Sequence, residues 1–423
     1  MKVLVIGSGG REHTIIWKLT KSPLVKKIYC APGNAGIAEQ AECLEVKVDD
    51  LSGLLEIAHS KGIDYTIVGP ETPLSLGIVD LFEEKGYPIF GPQRKAAEIE
   101  SSKVFAKQMM NKYNIPTAYS EVFDDYDKAI AYLKNQSFPL VIKADGLAAG
   151  KGVIIANNIF DAKQALTHIM KEKRFGGAGR RVLLEEFLEG EEVSMLVFSD
   201  GRHFLPMVTS QDHKKIGDND MGLNTGGMGA YSPVPFFNEE DKEIVLTRIF
   251  QPTIAGMEKE GRLFKGVLYA GLIVTKEGPK VLEFNARFGD PETQVILPEL
   301  KTDLMEIIQA TIDGKLEKIE LSWNEQSAVC VVMASQGYPG VYEQGKEIIG
   351  LEELKNRDDI VVFHSGTSKK NGQIVSAGGR VLGVTAWADT LKEAIDKAYQ
   401  GVGKIRFENS YYRKDIGKKG LYL

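Results

Sequence analysis

The chain has 423 residues, 43% hydrophobic and 26% charged, the balance of a soluble globular protein with room for two to four cored domains. With 52 basic against 58 acidic residues its net charge is −6, which argues against a basic face for nucleic acid or an anionic membrane. Three scattered cysteines without a CxxC pair argue against a zinc cage or disulfide framework, and no apolar run reaches the roughly 18 residues of a membrane span. A cytoplasmic protein is expected, with neither nucleic acid nor membrane as partner.

In chain order, Val3–Ile6 reads as a buried strand, followed by a glycine turn and a helix from about Arg11 to Thr20. Strands are expected at Lys27–Cys30, Tyr65–Val68 and Pro88–Phe90, with helices near Leu51–Lys61 and Gly77–Lys85 between them. Such alternation gives a doubly wound parallel sheet, whose ligands sit at the carboxyl ends of the strands. After Gly91-Pro92-Gln93 one long helix is predicted from Arg94 to Asn114, ended by Ile115-Pro116. Strands at Leu140–Lys143, Val153–Ala156 and Arg181–Glu185 follow, with a helix over Asp161–Lys173. Antiparallel strands are expected at Val193–Phe198, His203–Thr209, Leu268–Thr275 and Lys280–Asn285. Ala328–Ala334 opens a third segment as a central strand, and Thr390 to Lys404 forms its terminal helix. The predicted fold is α/β and α+β multidomain, divided at 1–101, 102–326 and 327–423.

Five stretches stand out chemically. Gly7-Ser8-Gly9-Gly10-Arg11-Glu12-His13 follows the opening strand, where glycines let backbone N–H groups approach an anion and a helix adds its dipole. Glu12 stands where a dinucleotide fingerprint has its third glycine, and no acidic residue ends the second strand. A single phosphate therefore fits better than a dinucleotide, and a plain tight turn is the bland reading. Lys143 to Val153 joins two strands through Gly146, Gly150, Lys151 and Gly152. Two lysines and three glycines suit a polyphosphate, although glycine and a strand follow Lys151, unlike a Walker A loop. Leu184 to Ser194 is either a solvated acidic turn or a hinge whose carboxylates accept from ribose hydroxyls. Glu283 and Asn285 alternate onto one strand face, two oxygen donors suited to Mg²⁺, and Arg287 can follow on the same side to meet phosphate or carboxylate. Gln211–Lys215 and Asn224–Ala230 are polar and glycine-dense, with Thr225 to Gly227 able to offer N–H groups to a carboxylate or acyl phosphate. No histidine pair has metal spacing and no nucleophile elbow occurs.

Together these strings resemble the glycinamide ribonucleotide synthetase family of ATP-grasp ligases. VIGSGGREH at 5–13, VGPETPLSLGIVD at 68–80 and IKADGLAAGKGV at 142–153 carry part of the resemblance. QDHKKIGDNDMGLNTGGMGAYSP at 211–233 and LEFNARFGDPETQ at 282–294 are its most specific parts, and SAGGRVL at 376–382 completes it. The resemblance implies an N-terminal phosphoribosylamine domain, a central ATP-grasp domain with a mobile lid at about 117–190, and a small C-terminal α+β domain. It implies ATP-driven ligation of glycine to 5-phosphoribosylamine in purine biosynthesis, through a glycyl phosphate, by a monomer using Mg²⁺ or Mn²⁺.

Carried over by position, Lys103 and Lys143 would hold the ATP phosphates, covered by the loop with Gly146, Gly150, Lys151 and Gly152. Glu186, Phe187 and Leu188 would bind adenine, largely through backbone groups, with Glu185 also in the ATP site and Glu191 or Glu192 on the ribose. Glu283 and Asn285 would hold the metal, with Arg287 near the transferring phosphoryl group. Asp212, Lys214, Thr225, Gly226, Gly227, Met228 and Asp290 would surround glycine and its acyl phosphate. Gly9, Gly10, Arg11, Asn34 and Glu71 would hold phosphoribosylamine. Another ATP-grasp ligase would share the 143–152 and 283–287 features and differ at 7–13 and 211–233. A nicotinamide dehydrogenase would need the missing third glycine.

Overall fold

The computed structural model describes residues 1–147, 152–174 and 176–422. At the N-terminus five parallel strands run in the order Glu42–Cys43, Lys27–Pro32, Lys2–Gly7, Tyr65–Val68, Ile89–Phe90. Their apolar runs do not alternate because both faces are covered. Leu4 and Ile6 pack with Leu54, Ile78 and Phe82, while Val3 and Val5 pack with Ile15, Ile16 and Leu19. The chain leaves Lys2–Gly7 in one direction and later adds Tyr65–Val68 on its other side. That reversal opens a crevice at the strand ends, where a doubly wound sheet takes its ligand.

The single helix predicted over 94–114 is two helices, Arg94–Ser101 and Lys103–Lys112. Ser102 breaks the run at φ −132°, ψ 106°, and its hydroxyl accepts from the Phe105 N–H at 3.1 Å. The same hydroxyl donates to Asp145 at 3.0 Å, a partner that no local pattern announces. The helix expected over 161–173 begins earlier, at Ile159–Leu166, and continues as a wider π turn over Thr167–Lys171.

Four antiparallel strands, in the order Ser120–Phe123, Val182–Glu186, Leu140–Ala144, Val153–Ala156, form a small sheet with its own core around Leu140, Ile142, Leu166 and Leu184. A second antiparallel sheet, ordered Phe204–Pro206, Glu191–Asp200, Lys265–Thr275, Gly278–Asn285, carries the acidic stretch at one end and Glu283 and Asn285 on its edge strand.

The last large sheet is ordered Gln211–Asp212, Gly229–Ser232, Ser327–Ala334, Arg380–Ala388, Ile360–His364. Its first two strands come from before residue 326, so this sheet runs across the division expected there. Strands of two and four residues are too short for a period-2 pattern to reveal. Helix Leu391–Lys404, capped by the Thr390 hydroxyl, packs Leu391, Ala394, Ile395, Ala398 and Val402 inward. Among the described residues no helix is long and apolar enough to cross a membrane.

Candidate active site

At the crevice of the parallel sheet, the Gly9 N–H donates to Glu12 Oε2 at 2.6 Å, and Glu12 Oε1 accepts from Arg11 Nε at 2.6 Å. Arg11 is buried and its Nη1 donates to the Phe288 carbonyl at 3.1 Å. A Cβ at Gly7 or Gly69 would strike the Glu12 side chain, so Glu12 fills the space above the strand ends. The residue that spoils a dinucleotide fingerprint is thus the bracket that aims Arg11. At Gly10 a Cβ would meet Gln294 and Ser365, which puts this loop against both later parts of the chain.

Asn34 is committed to the protein. Its Nδ2 donates to the Ser8 and His364 carbonyls, each at 2.8 Å, and its Oδ1 accepts from the Gly36 and Ile37 N–H groups, each at 2.9 Å. It orders the crevice wall and offers no free amide hydrogen to a ligand.

Glu71 lies 3.3 Å from Arg287 Nε, and Glu100 Oε1 lies 3.0 Å from Arg287 Nη2. The Glu71 contact is an ion pair by distance without hydrogen-bond alignment, since Nε has no aligned acceptor. Arg287 also donates from Nη2 to Asn285 Oδ1 and from Nη1 to Phe288 O, each at 3.2 Å. Glu100 Oε2 accepts from the Ala286 N–H at 2.7 Å. Burial pushes the Glu100 carboxyl up, with the Arg287 charge opposing. Sequence reasoning missed Glu100, because one glutamate on an amphipathic helix reads as solvent-facing.

Where the small antiparallel sheet meets the strand Gly278–Asn285, Lys143 Nζ lies 2.7 Å from Glu185 Oε2 and donates to the Leu282 carbonyl at 2.9 Å. The other oxygen of Glu185 lies 3.1 Å from Lys107 Nζ, which also donates to Thr117 Oγ1 at 2.7 Å and to Ala118 O at 3.1 Å. Glu185, placed in the ATP site by the resemblance, therefore bridges two buried lysines. Lys107 was not anticipated. Lys103 Nζ donates to the Gly146 carbonyl at 3.2 Å. Gly146 sits at φ +149°, where a Cβ would also press on Ala178, so only glycine suits this turn. Gly150 and Lys151 lie outside the described residues, and the Gly152 carbonyl accepts from the Ala144 N–H at 2.9 Å. Glu186 is exposed and accepts from the Tyr119 N–H at 2.9 Å; Phe187 is exposed and Leu188 half-buried.

Glu192 Oε2 lies 2.8 Å from Lys214 Nζ, whereas Glu191 is 3.7 Å from Lys419. Burial pushes the Asp212 carboxyl up to about 8; Lys214 opposes the rise, and Glu292, Glu192 and Glu283 add to it. Lys214 stays charged well above its ordinary range: burial works against it, but Glu192, Asp212, Tyr269 and Glu283 prevail. Glu283 shows the reverse balance. Burial alone would raise it, yet Lys214, Lys103, Lys143 and Arg287 hold it below the usual carboxylate range. Nearby, Glu292 accepts from the Tyr269 hydroxyl at 2.6 Å.

Thr225 Oγ1 donates to the Lys214 carbonyl at 2.8 Å and accepts from the Gly227 N–H at 2.9 Å. The Gly226 N–H donates to Tyr338 Oη at 2.9 Å. These two N–H groups, expected to face a carboxylate, are spent on ordering the loop. Met228 is fully buried beneath it. Asp290 lies 3.1 Å from Arg380 Nη2 and accepts from Gln294 Nε2 at 2.8 Å.

Residues 1–100, 101–293 and 328–419 match the N, ATP-grasp (A) and C domains of phosphoribosylglycinamide synthetase. The chain belongs to the phosphoribosylglycinamide synthetase family. A phosphoribosylamine–glycine ligase of Caldanaerobacter subterraneus is 54% identical over 98% of this chain and 99% of the relative. One from Halalkalibacterium halodurans is 51% identical over 100% of this chain and 97% of the relative. Among solved structures, phosphoribosylamine–glycine ligase of Thermotoga maritima superposes with a TM-score of 0.84 at 34% identity, covering 98% of this chain and 100% of that one. The biotin carboxylase domain of Hydrogenobacter thermophilus 2-oxoglutarate carboxylase reaches 0.76 at 16% identity over 97% and 91%, a likeness of fold alone. The phosphoribosylglycinamide synthetase architecture, an N-terminal parallel sheet, a central ATP-grasp domain and a C-terminal domain, is that of this chain.

Proposed function

We propose that the protein joins glycine to 5-phosphoribosylamine, with ATP as co-substrate, giving glycinamide ribonucleotide, ADP and phosphate. The glycine carboxylate attacks the γ-phosphorus and ADP leaves. The ribosylamine nitrogen then attacks the acyl carbon of glycyl phosphate, forming the amide and expelling phosphate. Such chemistry needs alignment and charge neutralisation more than a nucleophilic side chain. The match of all three domains to phosphoribosylglycinamide synthetase carries this reading, and Lys143 Nζ on the Leu282 carbonyl puts a phosphate-binding lysine beside the strand that bears Glu283 and Asn285.

Glu283 and Asn285 supply two hard oxygen donors on one strand face, and among the described residues they join no cluster of three close acidic or imidazole ligands. That donor set fits Mg²⁺ or Mn²⁺, which Glu283 and Asn285 would hold and which would draw off phosphate charge when bound. Lys103 and Lys143 then face the phosphates, the chain at 186–188 the adenine, and Glu191 or Glu192 the ribose. Asp212, Lys214, the 225–227 loop and Asp290 enclose glycine. The Asp212 carboxylate pairs with the glycine ammonium. Gly9, Gly10, Arg11 and Glu71 receive phosphoribosylamine, and Glu71 brings that site next to Arg287.

A coupled assay with freshly generated phosphoribosylamine tests the reading. Sustained ADP release is expected only when glycine, phosphoribosylamine and ATP are all present. Equal release when glycine is replaced by bicarbonate contradicts it.

A further inference from the structure

Arg380 opens the strand Arg380–Ala388, where the pairing with Ser327–Ala334 slips: Met333 faces Leu382, but Ala334 faces Arg380. The extra residue is a bulge, a device that re-aims a side chain near a site. Here Arg380 Nη1 donates to the carbonyls of Gly226 at 2.5 Å and Asp290 at 2.8 Å, while Nη2 lies 3.1 Å from Asp290 Oδ2. The C-terminal segment also holds Gly226 from its other side, since the Gly226 N–H donates to Tyr338 Oη at 2.9 Å. Gly227, at φ +110°, has no room for a Cβ against Pro291. Two loops from distant parts of the chain are therefore pressed together and pinned by one guanidinium, 20% exposed, against a carboxylate 15% exposed.

We propose that Arg380 is a positioning residue for the glycine site, fixing the 225–227 loop against Asp290 so that the two loops present one fixed wall to glycine. The inference rests on the reading above that glycine lies between these loops. Three acceptors shared between two guanidinium nitrogens suit arginine; a lysine offers a single point charge and cannot reach all of them. None of the contacts that fix Arg380 is to Lys103, Lys143, Glu283 or Asn285, so its loss acts on glycine and spares ATP.

Steady-state kinetics on Arg380→Ala, Arg380→Lys, Tyr338→Phe and Asp290→Asn, with melting temperatures, test this. Arg380→Ala is expected to raise KM for glycine about tenfold or more while KM for ATP stays within about twofold, a split that general loss of structure does not produce. Arg380→Lys should recover part of that loss, and Tyr338→Phe should raise KM for glycine a few-fold with an unchanged melting temperature. If Arg380→Ala does not fold, unchanged glycine KM in both Arg380→Lys and Tyr338→Phe overturns the proposal. It is equally overturned if Arg380→Ala raises KM for all three substrates alike. Should Asp290→Asn raise KM for glycine while Arg380→Ala does not, only the role of Arg380 fails. Should neither variant affect glycine, the location of the glycine site itself is wrong.

Discussion

Glu185 and Glu283 are both glutamates on strands, yet they are held for opposite reasons. Glu185 neutralises two buried ammonium groups at 2.7 and 3.1 Å, so Glu185→Ala leaves uncompensated buried charge. A loss of about 3–5 kcal/mol is expected, read as a lower denaturant midpoint. Unchanged stability would mean that the lysines find other partners. Glu283 instead is held below the usual carboxylate range by Lys214, Lys103, Lys143 and Arg287, against its burial. Glu283→Ala should cut turnover by about 100-fold or more with native circular dichroism, and near-normal turnover would remove Glu283 from the metal site. The motif strings singled out Glu283. They did not separate Glu185 from Glu186, because burial of one and exposure of the other is decided by Lys107 and Tyr119, far away in sequence.

At the level of elements, the apolar runs of the parallel sheet were readable, since a doubly covered strand writes its burial into consecutive residues. Tyr65–Val68 and Leu51–Lys61 are found at the expected bounds. The break at Ser102 was not readable, as a serine in a helix-compatible run is locally neutral. Its conformation is settled by Asp145, which also accepts from the Val104 N–H at 3.1 Å and pairs with Arg181 at 2.6 Å. Ser102→Ala should lose a cap worth about 1 kcal/mol and raise KM for ATP, because the helix starting at Lys103 loses its anchor. A lower melting temperature with unchanged KM for ATP would confine Ser102 to stability. Strands Gln211–Asp212 and Gly229–Ser232 stayed hidden for a related reason: they exist only because Ser327–Ala334 offers them a ladder.

At the scale of the molecule, the N- and C-terminal parts meet through two buried histidines. His13 Nδ1 accepts from the His364 N–H at 2.8 Å, and the rings are 5.5 Å apart. Burial, with the His364 charge adding to it, pulls His13 down to about 3; burial, with Lys355 adding, pulls His364 down to about 4. Both are neutral in the folded protein at pH 7, but the unfolded chain protonates them below about 6.5. Stability is therefore lost as pH falls from about 6.5 toward 4, by about 2 kcal/mol for each histidine at pH 5. His13→Asn keeps an acceptor for the His364 N–H without titrating, so its melting temperature should fall less between pH 7.5 and 5 than that of the parent. Equal falls would place the acid sensitivity elsewhere.

All four sheets of the site serve one expectation, that the glycine carboxylate is activated by phosphorylation. Glycine labelled with ¹⁸O in both carboxylate oxygens, turned over with ATP and phosphoribosylamine, measures this directly. One labelled oxygen is predicted in the released phosphate for every amide formed, with the other retained in glycinamide ribonucleotide. Amide formation with no label in phosphate would contradict an acyl phosphate and, with it, the assignment of this site.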